Sequence, residues 1–329
     1  MQPPSRRTFL ALGLITLTAA CTTEGATPPT PDNSGPDPDH PVRLRAVAAT
    51  DTLLAAYDTL LTTPGDRTPL LQTLRAETAQ HRAALAQGLP PTSIPPSTST
   101  TTPPTPPTPP TPPTAPTPPT LATLEHQTAQ SHLADLTTAR PPLARLLASV
   151  SAANALHATA LGAPTDQPTP SSTPTPTPSN TPTPGTALPA LQKALSAEHA
   201  AVYGYGVVGA HLPDDQQRTD ARTAYAAHQS QRDAWQRLIT TLGATPAPAA
   251  AGYRLPFPVT DPTTATHLAA HLETSLTTVY ADLVADLPTP HRPTAATALR
   301  DCTLRAHRWG APDTPFPGIP TPLPTPTQT

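Results

Sequence analysis

The chain has 329 residues, 52 of them proline, with only 3% aromatic and 12% charged residues. That composition excludes one well-packed globule of this length, because Thr-Pro tracts cannot bury enough apolar surface to offset the entropy of ordering them. The net charge is -3, Lys193 is the single lysine, and no basic patch interleaves with aromatics, which excludes nucleic acid as a partner.

The first twenty residues, MQPPSRRTFLALGLITLTAA, read as an export signal. Arg6 and Arg7 precede an apolar run from Phe9 to Leu17 that is too short to span a bilayer and has the build of a signal-peptide core. Ser5 to Leu10 resembles the twin-arginine signal, with Ala11 where lysine is often found. Thr18-Ala19-Ala20-Cys21 resembles a lipobox, with Thr18 in place of the usual leucine. The expectation is cleavage before Cys21, acylation of that cysteine, and a mature chain anchored to the outer face of the cell membrane through it. Two acyl chains on one cysteine suffice for stable anchoring. The alternative is an ordinary secretory signal in which Cys21 is incidental. Cys302 is the only other cysteine, so an acylated Cys21 leaves no intrachain disulfide. Residues 21–40 then form a disordered tether.

Two alanine- and leucine-rich blocks follow, at 41–162 and 187–310. The first is interrupted by a Thr-Pro insert at about 90–119, and a Pro/Thr linker at 163–186 separates the two. Each block reads as four helices. In the first, Leu44, Val47, Asp51, Leu54, Asp58 and Leu61 fall on one stripe. A second helix carries Leu70, Leu74, Glu77, His81 and Ala84, LATLEHQTAQSHLADLTTA makes a third, and Pro141-Pro142 opens a fourth with Asn154 and His157. In the second block, a helix from about Leu188 to His211 places Glu198 on the same stripe as Leu191, Leu195 and Tyr205. The next helix carries Tyr225, His228 and Trp235. Asp261-Pro262 has the form of an N-cap and first turn for a third helix, with Glu273 on its flank, and the fourth shows Leu299, Cys302, Arg305 and Trp309. Residues 311–329 are proline-rich and predict a disordered tail.

Only the middle connection of each block is long. That pattern predicts the single crossover of ferritin-like bundles, so the expected fold is all-α: two tandem ferritin-like four-helix bundles joined by disordered linkers. The segments AEHAAVYGYGVVGAHLP, AAHQSQRDAW, YRLPFPVTDP and PFPGIP, in this order, resemble a ferritin-like domain-of-unknown-function family of actinobacterial exported proteins and lipoproteins. The resemblance covers about 187–320. It implies a ferritin-like fold and no established activity.

A carboxylate-bridged di-iron bundle needs a Glu from each of two helices and Glu-x-x-His from each of the other two. Glu198 and Glu273 fit the single-acid places and His228 fits one histidine, but Tyr225 stands where its bridging acid belongs. On the fourth helix Asp301 and His307 are wrongly spaced, and Leu304 takes the place of the acid. The first block offers Asp51, Glu77, His81, Glu125, Asn154 and His157, with an amide in one acid's place. His126, His132 and His199 read as surface or rim residues. The tyrosines Tyr203, Tyr205 and Tyr225 read as packing, and Cys302 as a small core hydrophobe. Three readings of Glu198, His228 and Glu273 stand side by side: a buried Glu–Arg–His network with Arg305 or Arg308, a mononuclear or degenerate iron or manganese site, and a solvent-facing, functionally neutral Glu198. The functional expectation is a lipid-anchored envelope protein with a non-catalytic binding or structural role. The alternative is a metal-dependent oxidase or metal-storage protein using those three residues.

Overall fold

The computed structural model describes residues 37–63, 65–90, 117–163 and 185–320. The chain divides into two units, Met1–Asp37 and Pro38–Thr329, and the account below concerns the second. Arg6, Arg7 and Cys21 lie outside the described residues, as do most of the Thr-Pro insert and linker. Among the described residues the regular structure is helical: α1 Asp39–Leu61, α2 Thr68–Ala86, α3 Pro118–Asp135, α4 Pro141–Ala160, α5 Ala187–His211, α6 Asp215–Thr241, α7 Pro262–Asp286 and α8 Arg292–Arg308. A short 3-10 turn at Thr289–His291 leads into α8. None of these helices is long and apolar enough to cross a membrane.

The helix starts follow from local chemistry. Asp261 accepts from Thr264 N, and the Thr264 hydroxyl returns to the Asp261 N–H. Pro262 then opens α7 where a missing N–H is harmless. Thr117 and Thr120 make the same reciprocal box ahead of Pro118 on α3. Asp214 accepts from Gln217 N at 2.8 Å to begin α6.

Helices α1 to α4 pack as one group and α5 to α8 as another, and α4 also lies against α7 and α8. The sequence of α4, PPLARLLASVSAANALHATA, explains this third role. Its alanines and serines are buried on nearly every side, as expected of a helix without a polar face. The largest apolar cluster accordingly runs through both groups, from Val47, Leu143 and Leu147 to Leu195, Trp235, Leu276 and Leu299. Polar contacts fix the same junction. Arg292 Nη1 donates to Leu136 O at 3.0 Å and Ala139 O at 2.6 Å, satisfying carbonyls at the end of α3. Arg145 on α4 pairs with Asp282 on α7 at 2.8 Å.

The tail departs from its sequence expectation. Residues 311–320 pack on α2, α4 and α7 instead of hanging free, through His81, Ser149 and Thr277. The cause is specific side-chain donors to its carbonyls together with a glycine that fits directly on α7. Neither is visible in composition.

Candidate functional site

Glu198 on α5, His228 on α6 and Glu273 on α7 converge, each no more than 1% exposed. His228 lies between the acids, with Nδ1 2.8 Å from Glu198 Oε2 and Nε2 3.1 Å from Glu273 Oε1. Arg305 on α8 donates from Nε to the same Glu273 Oε1 at 2.7 Å. Tyr205 donates to that oxygen at 2.6 Å, and its ring stacks on His228 at 5.2 Å. The Tyr280 hydroxyl donates to Glu198 Oε1 and receives Trp235 Nε1 at 3.2 Å. Glu273 is therefore at the centre of the group and not on the helix flank that its position in the sequence pattern suggested.

The charges balance. Burial opposes charge on Glu273, but the Arg305 guanidinium and then His228 outweigh it and hold the carboxyl down at about 2. Burial likewise pulls His228 down, while Glu198 and Glu273 outweigh it and raise it to about 9. The Tyr205 and Tyr280 hydroxyls are pushed well up, by burial first and then by the neighbouring carboxylates, so both remain donors. Two carboxylates thus face one imidazolium and one guanidinium and accept from two phenols, while Glu273 Oε2 is left without a partner among the described residues.

Most donors that an iron or manganese ion would use are committed here: both His228 nitrogens face carboxylates and the guanidinium is seated on Glu273 Oε1, while Glu273 Oε2 meets no partner among the described residues. Asp301 and His307, the weaker candidates, point elsewhere: Asp301 pairs with Arg300 at 2.8 Å and His307 with Asp313 at 2.9 Å.

A second cluster lies among α1 to α4. Glu125 is fully buried on α3 and accepts from Tyr57 at 2.6 Å and from Asn154 Nδ2 at 2.5 Å. His157 on α4 has Nδ1 3.2 Å from Glu125 Oε1 and Nε2 2.9 Å from Glu77 Oε2. Its burial is outweighed by Glu125 and Glu77, which raise it to about 9. His81 stacks on His157 at 5.7 Å. Burial, and then the charged His157 beside it, lower it to about 4. Asp51, offered by the pattern as a ligand, is instead paired with Arg82 at the surface. His132 and His199 are buried, contrary to their reading as rim residues.

The two clusters are versions of one arrangement. Tyr57 precedes Glu125 by 68 residues and Tyr205 precedes Glu273 by 68. His157 follows Glu125 by 32, and Arg305 follows Glu273 by 32. The register that carries Tyr57 onto Tyr205 also carries Gly162, which ends α4, onto Gly310, which ends α8, and both glycines have positive φ. A basic residue on the last helix, His157 or Arg305, sits on the third-helix acid each time. Sequence reasoning missed Tyr57, Tyr205 and Tyr280 as acid partners. The equal Tyr–Glu spacing was an available signal for Tyr57 and Tyr205.

Comparison with known proteins places the second group of helices. Residues 190–321 match a family described as a domain of unknown function, DUF4439. A conserved hypothetical protein, rv2844, from Mycobacterium tuberculosis, known from a crystal structure, is 35% identical. The match covers 38% of this chain and 96% of that one, with a TM-score of 0.37. No curated protein matches. Through residues 190–321, from α5 to the packed tail, the chain belongs to this family of unknown function.

Proposed function

We propose that the chain is an exported protein, anchored in the cell membrane through an acylated Cys21, that carries two tandem ferritin-like four-helix bundles in a non-catalytic binding or structural role at the envelope. The Arg6-Arg7 signal and the Thr18–Cys21 segment support the export and anchoring. One observation carries the non-catalytic role: Arg305 Nε lies 2.7 Å from Glu273 Oε1, so a protein cation stands on the acid that a ferritin-like metal centre would use. The bundles retain the polar centre of such a fold as an internal ion-pair network.

Two measurements test this. Elemental analysis of full-length protein retained in its native cytoplasm should give far less than one iron or manganese per chain, with a melting temperature unmoved by chelator. Stoichiometric metal lost on chelation, together with a lowered melting temperature, would sink the reading. For the anchor, an alkyne fatty acid should label the wild type and not Cys21→Ser. Equal labelling of the two would remove lipidation at this position.

A further inference from the structure

Between α5 and α6 lies an open cavity of about 220 Å³. Tyr205, 2% exposed, forms its floor; Gly206 and Gly209 line it from α5, and Arg218, Arg222 and Tyr225 from α6. The floor is rigid, because the Tyr205 ring stacks on His228 and its hydroxyl donates to Glu273, so the buried network holds it in place.

The two walls differ in chemistry. Gly204, two residues before the cavity, lies close against Leu272, but a Cβ added at Gly206 or Gly209 would meet nothing within 4 Å. Packing therefore requires glycine at neither position, and glycine weakens a helix interior. Choices that weaken a fold with no packing reason collect at functional sites. Here they leave bare helix backbone as a flat wall beside the tyrosine ring. On the opposite wall Arg218 pairs with Asp215, whereas Arg222 makes no hydrogen bond or ion pair among the described residues. Two guanidiniums against one carboxylate leave a single positive charge at the mouth.

We infer that this cavity binds a small planar monoanion, an aromatic carboxylate, with its ring between Tyr205 and the bare backbone of Gly206 and Gly209 and its carboxylate on Arg222. A cavity of roughly 150 Å³ takes benzene, so this one has room for a ring carrying one short substituent. The planar guanidinium fork matches a carboxylate with two parallel hydrogen bonds. A dianion would exceed the one free charge, and a carboxylate without a ring would leave the apolar floor uncovered. This supplies a ligand class for the binding role proposed above and rests on it.

The test is a titration of full-length protein with benzoate, followed by saturation-transfer NMR. A dissociation constant on the order of 1 mM is expected for a ligand of this size. Benzamide, which lacks the charge, and acetate, which lacks the ring, should bind at least about tenfold more weakly. Arg222→Gln should weaken benzoate by at least about tenfold. Gly209→Leu should abolish binding by filling the cavity, with a melting temperature equal to or above that of the wild type. Should Gly209→Leu not fold, Gly206→Ala/Gly209→Ala replaces it with the same expectation of weakened binding. No saturable binding at about ten times the expected constant overturns the inference. So does equal affinity in the wild type and Arg222→Gln, or in the wild type and the folded cavity variant, because benzoate then sits elsewhere. Such a failure leaves the metal content found by elemental analysis unchanged, so it is distinct from a failure of the non-catalytic reading.

Discussion

Arg305 and Glu273 form a largely buried ion pair, Nε to Oε1 at 2.7 Å, in which the acid is 0% exposed and the arginine side chain 14%. Glu273 Oε1 also receives Tyr205 and faces His228, so a single carboxylate oxygen gathers three partners from α5, α6 and α8. Such a pair contributes little against a well-packed apolar replacement, but breaking it from one side leaves an uncompensated buried charge.

Arg305→Met should therefore destabilise the protein by about 3–5 kcal/mol in urea unfolding. Adding Glu273→Gln should recover a large part of that loss, because the stranded charge is gone. If the double variant is no more stable than Arg305→Met alone, the guanidinium acts by packing and not by neutralising Glu273.

The histidines fix a pH optimum for stability. His157 and His228 are raised from 6.5 to about 9, so their contribution is whole below 6.5 and is lost as pH climbs through 9. His81 and His132 are lowered from 6.5 to about 4, so theirs is whole above 6.5 and is lost as pH falls through 4. Glu273, held at about 2 against its usual 4.5, adds a further loss below 4.5. Unfolding free energy should peak near pH 6.5 and fall on both sides, as measured by denaturant titration at each pH. His228→Gln should flatten the alkaline limb. A stability that keeps rising from pH 6.5 to 9 would contradict the assignment of His157 and His228 as imidazolium.

Much of this fold was legible in the sequence because helix boundaries are written in short-range chemistry. Asp261-Pro262 and Pro141-Pro142 each announce a helix start, whereas Thr117-Pro118, which opens α3, lies in the stretch read as Thr-Pro insert; the stripe through Leu191, Leu195 and Glu198 points the acid inward. Glu198, His228 and Glu273 were candidates from helical spacing, with Arg305 or Arg308 as counter-charge, but the pattern put Glu273 on the flank of its helix and could not choose between the two arginines. Tyr280 was not, because nothing local distinguishes a tyrosine that packs from one that donates to an acid 82 residues earlier. The joining of the two groups through α4 was hidden for a similar reason. A helix of alanine and serine reads as weakly amphipathic, yet its small side chains are what let α7 and α8 approach. Composition also misjudged residues 311–320, where a few carbonyl contacts and a single glycine outweigh the tendency of prolines to remain solvated.

His132 is a residue left without its acid. It stands in the register of Tyr280, which donates to Glu198, but the register of Glu198 is filled in the first group by Thr50, whose hydroxyl turns back to Ala46 O at 2.8 Å. Neither ring nitrogen of His132 meets a partner among the described residues, although the side chain is 0% exposed. His132→Leu should then stabilise the protein by about 1 kcal/mol, since an unsatisfied buried polar group is replaced by an apolar one. It should also flatten the acid limb of the pH profile. A loss of stability on this change would show that His132 is paired through a buried water that the leucine displaces.

Two glycines separate a tight contact that yields from one that cannot. An added Cβ at Gly204 on α5 would come within 2.6 Å of Leu272 Cδ1, the mobile end of a leucine on α7, while at Gly318 it would meet backbone at Thr277 O. Gly204 is also helical, so alanine there gains about 1 kcal/mol of helix propensity against the shift of Leu272, and Gly204→Ala should come out within about 1 kcal/mol of wild type. Gly318 has positive φ in addition to the collision, and Gly318→Ala should lose about 2–4 kcal/mol or free the segment 315–318 from α2, α4 and α7. The two outcomes at Gly318 are distinguished by His81. If the segment stays seated, His81 remains protected in the folded variant. If it lifts away, His81 becomes reactive to diethyl pyrocarbonate while the α5–α8 network, read through the alkaline limb of the pH profile, is unchanged. Equal losses at Gly204 and Gly318 would mean that α7 can relax around a side chain at this point, and that the glycine in Pro-Phe-Pro-Gly is dispensable.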